Sequence, residues 1–432
     1  MPVPRAHVSP SQQRQYRIIL TANFISLFGS GLNHASIIWF VLQKTNSANA
    51  VALLVPAITL PSLFFMPFSG VMIDRLDRRH TTMALDALRG LCVAVVAVLA
   101  FAERVEVWHI YAMGIMLGLG AFMFWPNMAA LTQELVESED VVPLNALVMG
   151  TAQGGWMIAG AVVGFLYQRI GLAGTLAMDA ATYLFSVCLM LSLRRGKRLV
   201  HSESVPLSIG QFNRDFVAGL RYVASQMRVL ILGAVSALFT AAMMSQNVVT
   251  APFSKKILHA GAAGFGFCNA GWSLGAITSS ALTGTLLRQG SGHLSFLAVS
   301  LILAAAACGV LPHFGIVAVG VALYFVMGAG RGMAGVSVSS SLMHEVPKQL
   351  MGRTQNVINF SSIVFQLALT MAVGWLCEHI SLAMGFYVLA SVYLVAGLLA
   401  TIVTRIPASG TKLEPPSAET EALMPRSKAA EL

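Results

Sequence analysis

Charge is what this sequence has least of. Asp, Glu, Lys and Arg make up 10% of its 432 residues, where a soluble domain carries about 25%, and hydrophobic residues reach 56%. Water would not tolerate that surface, so a soluble globular chain is excluded. Cysteine is sparse too. Cys92, Cys188, Cys268, Cys308 and Cys377 fall within or at the end of apolar runs without paired spacing, which argues against a disulfide framework or a metal site. No Gly-rich nucleotide loop, HExxH pair or zinc-type cluster is present. ATP hydrolysis therefore has no visible basis, no nucleophile and base are arranged for catalysis, and no cofactor is expected. The apolar runs lack the polar/apolar alternation of a membrane barrel. A short apolar core with a small-residue cleavage site is also missing, so the first long run is expected to serve as its own targeting signal.

What is present is a series of runs near the roughly 20 residues that a spanning helix needs. Twelve are marked: Ile18 to Val41, Ala50 to Met72, Thr81 to Phe101, Val107 to Gln133, Leu144 to Tyr167, Leu172 to Leu193, Val229 to Pro252, Gly264 to Leu287, Leu294 to Leu311, Phe314 to Leu342, Val357 to Leu376 and Leu382 to Ile406. The expected class is an all-α membrane protein with twelve transmembrane helices. The net charge of +9 follows topology rather than nucleic acid. With the amino terminus inside, the 27 Lys and Arg fall in the tails and inward loops, except Lys44, Arg104, Arg169, Lys255 and Lys256 outside and Arg89 and Arg331 within helices. That positive-inside bias places both termini in the cytoplasm, in an inner or plasma membrane.

The longest polar interruption, Arg194 to Arg228, divides the spans six and six. Its Phe212, Phe216, Leu220, Tyr222 and Val223 suggest a short amphipathic helix on the cytoplasmic face. The expected organisation is a tail (1–17), a six-helix bundle (18–193), the linker (194–228), a second bundle (229–406) and a disordered tail (407–432). The halves also resemble each other. Val163-Gly164-Phe165-Leu166 through Ala173 aligns with Val373-Gly374-Trp375-Leu376 through Ala383, and Leu131, Glu134 and Asn145 match Leu342, Glu345 and Asn356 at one constant offset. Such a parallel repeat fits two bundles rocking about a central site.

Between the second and third spans lies the one dense charge cluster of the first hundred residues, Gly70-Val71-Met72-Ile73-Asp74-Arg75-Leu76-Asp77-Arg78-Arg79-His80. Its Gly70, Asp74, Arg75, Arg78 and Arg79, with Asp86-x-x-Arg89, Thr45-x-Ser47, Pro126, Asn145, Asp179 and His344-Glu345-Val346-Pro347 to Gly352-Arg353, resemble the major facilitator superfamily. Within it, they are similar to the drug and siderophore efflux branch that includes the macrolide-efflux and enterobactin-exporter types. Two stretches depart from relatives: Gly160-Ala161 replaces a Gly-Pro pair, and Gly29-Ser30-Gly31-Leu32-Asn33-His34 lacks the acid some carry in helix one.

The resemblance implies a latch in which Asp74, at the inner end of helix two, faces the positive N-terminus of helix eleven and Arg353. Arg78 and Arg79 are expected to reach Glu134. Gly160-x-x-x-Gly164 in helix five and Gly271-x-x-x-Gly275 in helix eight fall at similar depth, where small residues allow close approach, and in this superfamily those helices face each other across the bundle interface, as an outer gate. By helical spacing, Asn23, Ser26, Ser30, Asn33 and His34 share one face of helix one, a substrate or proton path or else a contact with a neighbouring helix. Arg331 needs an anion at membrane depth, from a substrate or from Asp179. Trp125, with Phe122, Phe124, Met243 and Met244, is a candidate lining for an apolar cavity.

The function expected is secondary export of a small amphipathic or hydrophobic compound, by alternating access and proton antiport. The expected partners are the small molecule, protons and membrane lipids, with no nucleic acid, for a monomer. A lipid or lysolipid flippase, an uncoupled facilitator, and a sensor or assembly partner that moves nothing remain as alternatives.

Overall fold

A chain crossing hydrocarbon must satisfy its backbone internally, and the structure, a computed structural model, does so with helices. It describes residues 10–65, 77–135, 141–193, 209–288 and 293–406, and no strand occurs among them. Helix α1 spans Pro10–Thr45, α2 Ala48–Phe65, α3 Arg78–Phe101 and α4 Val107–Leu135. The run Val141–Leu191 is interrupted at Gly171, whose φ of 64° and ψ of −168° are accessible only without a Cβ. It therefore makes two helices, α5 (141–170) and α6 (172–191). Then follow α7 Ile209–Ser225, α8 Met227–Lys256, α9 Gly261–Arg288, α10 His293–Val310, α11 Val317–Glu345, α12 Lys348–His379 and α13 Leu382–Arg405.

Setting aside the amphipathic α7, the described residues hold the twelve helices expected. Nine stretches qualify as spans by length and composition. One of these contains both α5 and α6, the described apolar part of α2 is shorter, and Gly, Ser and Thr dilute α9. Several helices overrun their apolar runs. α1 begins at Pro10 rather than Ile18, and α12 at Lys348 rather than Val357, because a helix continues its backbone ladder after leaving hydrocarbon. The aligned turns of the repeat use different chemistry: Gly171 turns by positive φ, whereas its counterpart Ser381 caps α13 by accepting from the Met384 N–H at 3.3 Å.

The outer surface inverts soluble-protein logic. Leu88, Leu91, Val95 and Val98 form an exposed stripe on α3, as do Val395, Leu398 and Ile402 on α13. The helical spacing of each turns one face towards lipid. Inside, α1 packs along α5 and α6, while Phe253, Tyr324 and Phe386 form an aromatic knot in the second bundle. α7 rides on that bundle. Phe216 meets Phe360 edge-on at 5.3 Å, and the Tyr222 hydroxyl donates to the Glu345 carbonyl at 3.4 Å.

With an even number of crossings, α1 begins and α13 finishes at the same end of the molecule. The opposite end carries the turns at 45–48, 257–260 and 380–381, and there the two bundles join. Ala48 and Ala52 of the first bundle merge into the core of the second, and Ala251, Ala262 and Phe265 of the second into that of the first.

Candidate functional site

The join is built from small residues and a few polar ties. A Cβ on Gly164 of α5 would fall 2.5 Å from the Ala262 carbonyl oxygen and 2.9 Å from Gly266 Cα of α9, so the two backbones touch. Gly160, one turn back, faces Asn269 and Ser273. Beside them Trp39 of α1 stacks on Phe265 at 6.0 Å. On the other flank, α12 meets α2. A Cβ on Gly374 would strike Ala52, and the first N–H of α2, from Ala48, donates to Glu378 Oε2 at 2.9 Å. A carboxylate from one bundle thus caps a helix N-terminus of the other, where unpaired N–H groups and the dipole favour negative charge. Lys255 Nζ adds a bond to Asn46 Oδ1 at 3.1 Å. Every hydrogen bond between the bundles that joins described residues lies at this end.

Gly271 and Gly275 are not part of this seam. They face α11, with Val321 and Phe325 carbonyls against them, because the α9 face that meets α5 lies on a different side of the helix. The partner of Gly164 is Gly266.

At the end bearing the termini, Gly70, Asp74 and Arg75 lie outside the described residues. Arg78 is buried at the start of α3. Its Nη1 pairs with Glu134 Oε1 at 3.0 Å, and its carbonyl accepts from Asn127 Nδ2 at 2.8 Å. Arg79 does not reach Glu134. One residue on, it points to the end of α6 and donates to the Met190 and Leu191 carbonyls at 2.9 and 2.7 Å, a cation on a helix C-terminus. Arg353 is exposed on the first turns of α12, its backbone under Gly219 of α7. Glu345, the repeat partner of Glu134, pairs with Arg228.

A second cluster lies inside the first bundle, between α1, α3 and α6. Asp86 and Arg89 form a buried ion pair, and Asp86 Oδ2 accepts from Ser186 at 2.7 Å. The Arg89 guanidinium sits 4.5 Å from the Phe124 ring centroid and 4.9 Å from that of Tyr183, while the Tyr183 hydroxyl bonds Ser30 at 2.9 Å. Asp179, fully buried, accepts from Asn33 Nδ2 at 2.7 Å. This corrects the pairing of Asp179 with Arg331: the two lie in different bundles. It also recasts the helix-one stripe. Asn23 and Asn33 are buried against α5 and α6, with Asn23 donating to the Val148 carbonyl at 2.8 Å. His34, the strip's one ionisable group, is half-buried, its ring 5.2 Å from Trp156. Trp125 is exposed on α4, edge-on to Phe124 at 5.8 Å. The Phe122 side chain lies outside the described residues.

Near the middle of α11, Arg331 is half-buried between α8 and α9. Its Nε donates to Met243 Sδ at 2.9 Å, and its guanidinium lies 5.0 Å from the Trp272 ring centroid. Sequence reasoning missed Glu378, Gly266 and Trp272. The only trace of the first was its place beside the aligned Gly374; the second follows from three glycines in Gly261 to Gly266, and the third carries no signal beyond its residue type.

A family model described as transmembrane secretion effector, within the major facilitator superfamily, matches residues 5–427. The multidrug efflux pump Tap of Mycolicibacterium fortuitum is 28% identical over 216 residues, 48% of this chain and 51% of the relative. Macrolide efflux protein A of Streptococcus pyogenes is 24% identical over 165 residues, 38% of this chain and 41% of the relative. The chain thus spans about half the length of the first of these curated relatives and somewhat less of the second. Among solved structures, a bacterial homologue of the iron transporter ferroportin in an inward-facing state superposes with a TM-score of 0.68 at 16% identity, covering 90% of this chain and 98% of that one. At that identity the likeness concerns fold alone.

Proposed function

The chain belongs to the transmembrane secretion effector family of the major facilitator superfamily, and from this premise we propose that it exports a small amphipathic or hydrophobic compound by alternating access, in exchange for protons. It is a multi-pass membrane transporter rather than an enzyme. The observation that carries the mechanistic reading is the join of the bundles at one end among the described residues, through Gly164 on Gly266 and Glu378 on the α2 N-terminus. With both termini cytoplasmic, as the Lys and Arg distribution supports, the joined end faces outward, and the state is the inward-open one that loads cargo from the cytoplasm. Asp74, outside the described residues, is the proposed latch for the opposite state, on the same pair of helices, α2 and α12.

Proton exchange is supported by the charge arithmetic of the buried cluster. The cluster holds two carboxylates, Asp86 and Asp179, and one guanidinium, Arg89. Asp86 takes the direct ion pair, which leaves Asp179 with an amide for its partner and one negative charge in excess at a site where charge is costly. Asp179 is the proposed proton site, and α1, which supplies Asn33 to it, is the element that senses its state. A proton crossing the full field contributes about 2.3 kcal/mol per 100 mV, enough to bias a transport cycle. The test is uptake of dyes, macrolides and siderophores into inverted vesicles. Accumulation that collapses with the pH gradient is expected. Uptake indifferent to the gradient would make the protein an uncoupled facilitator, and no uptake of any class would remove the export reading.

A further inference from the structure

The two bundles treat their buried arginines differently, and the difference defines a ligand site. In the first bundle Arg89 stands beside Tyr183, with Asp86 as its ion pair. In the second, the internal repeat aligns Tyr393 of α13 with Tyr183, and the arginine at membrane depth is Arg331 of α11. The position matching Asp179 is here Leu389, buried and apolar. Among the described residues no carboxylate pairs with Arg331. Of the five N–H donors a guanidinium carries, Nε alone is engaged, and its acceptor is a thioether, the Met243 sulfur at 2.9 Å.

The rest of the surroundings suit an amphipathic anion. The Trp272 ring holds the guanidinium from one side at 5.0 Å, while Met243 supplies soft, adaptable apolar surface. The site lies near the midpoint of α11 and of α8, the depth at which transporters of this kind of repeat bind cargo. It is built from three helices of one bundle, and the backbone contacts of Gly271 and Gly275 with α11 set the spacing of two of them.

We infer that Arg331, Trp272 and Met243 form an oxyanion subsite, which takes the carboxylate, sulfonate or phosphate of a molecule whose apolar body rests on Trp272 and Met243. This rests on the export reading and narrows it from any hydrophobic compound to one bearing a negative oxygen group. The planar fork pairs with two oxygens at once, a geometry an ammonium does not reproduce.

Binding to purified protein in nanodiscs, read as tryptophan-to-pyrene energy transfer, tests the site without requiring transport. The probes are pyrenebutyrate and pyrenebutanol, which share a body and differ in the carboxylate. Wild type should prefer the carboxylate by about tenfold or more, as for a charge-assisted hydrogen bond. Arg331→Gln should erase the preference while leaving pyrenebutanol affinity unchanged, and Arg331→Lys should keep part of it. Where Arg331→Gln fails to fold, Met243→Glu supplies an internal carboxylate beside Nε and should abolish the preference, whereas Met243→Leu should preserve it. Equal affinities for the two probes in wild type, or a preference that survives both Arg331→Gln and Met243→Glu, would overturn the site. Phosphatidylglycerol added to phosphatidylcholine nanodiscs separates the sources: displacement of pyrenebutyrate assigns the oxyanion to a lipid headgroup, and no displacement assigns it to a free amphipathic anion. Binding with this preference but no vesicle uptake would remove the export reading and leave the subsite standing.

Discussion

At the scale of single residues, the buried charges divide into those the protein balances and those it leaves to be balanced. Asp86 belongs to the first kind. Removing it by Asp86→Ala takes away the direct ion pair of the Arg89 guanidinium, and breaking a buried pair in this way costs about 3–5 kcal/mol. The thermal midpoint of the purified protein should fall sharply. Asp86→Leu combined with Arg89→Met and Asp179→Asn, which leaves no charge in the cluster, should recover much of the loss, since replacing both partners by apolar groups is often neutral. Asp179, the proposed proton site, is held by the Asn33 amide and the Thr182 hydroxyl rather than by a direct ion pair. Asp179→Asn keeps the shape and an acceptor for Asn33, so the protein should fold and bind cargo as before. Export driven by a pH gradient should disappear while cargo-for-cargo exchange across vesicles persists. If gradient-driven export survives unchanged, Asp179 is a structural acceptor and the proton travels elsewhere.

At the scale of elements, the contact that decides the state is α5 against α9. No side chain fits between Gly164 and Gly266, so Gly164→Leu must push the helices apart at the joined end. Overpacking of this sort costs about 1–3 kcal/mol, and about 1.4 kcal/mol changes a conformational ratio tenfold. Because the strain exists only while the bundles touch, it should favour the outward-open form rather than unfold the chain. Spin-label distances between the outer ends of α5 and α9 should lengthen while expression stays near wild type. Gly275→Leu provides the contrast. It strikes α11 within the second bundle, in every state of the cycle, and should lower stability without shifting that distance.

At the scale of the whole molecule, the proposed cycle makes α2 and α12 a pair latched at its two ends by carboxylates acting on helix N-termini: Glu378, which accepts from the Ala48 N–H of α2, and, as the motif implies, Asp74, which lies outside the described residues. Each contact is worth about 0.3–1 kcal/mol, and up to about 2 when partly buried. Glu378→Gln should raise the outward-open population, and Asp74→Asn the inward-open one. In the proposed cycle the two carboxylates act in opposite states, so their effects should add, and the double variant should return towards the wild-type distribution. Distances measured at both ends of the α2–α12 pair check all three variants. If Glu378→Gln leaves the outer distance and the transport rate unaltered, its bond to Ala48 is incidental.

The sequence by itself determined the class, the number of crossings and the even placement of the termini. Hydrocarbon imposes those through composition and length, and both are written linearly along the chain. It also exposed the internal repeat and the pairing of Arg78 with Glu134, because charged residues are so few that each stands out. Only the tertiary structure decided which neighbour each charge finds. Arg79 and Asp179 each had a plausible partner by residue type, and both took another: a rotation of about 100° per residue around a helix sends Arg79 to a different neighbour from Arg78, and Asp179 lies in a different bundle from Arg331. The same geometry turned Gly271 and Gly275 inward while Gly266 met Gly164. It also placed Glu378 on the far bundle, 330 residues along the chain from the N–H group it caps, a separation across which no local pattern carries information.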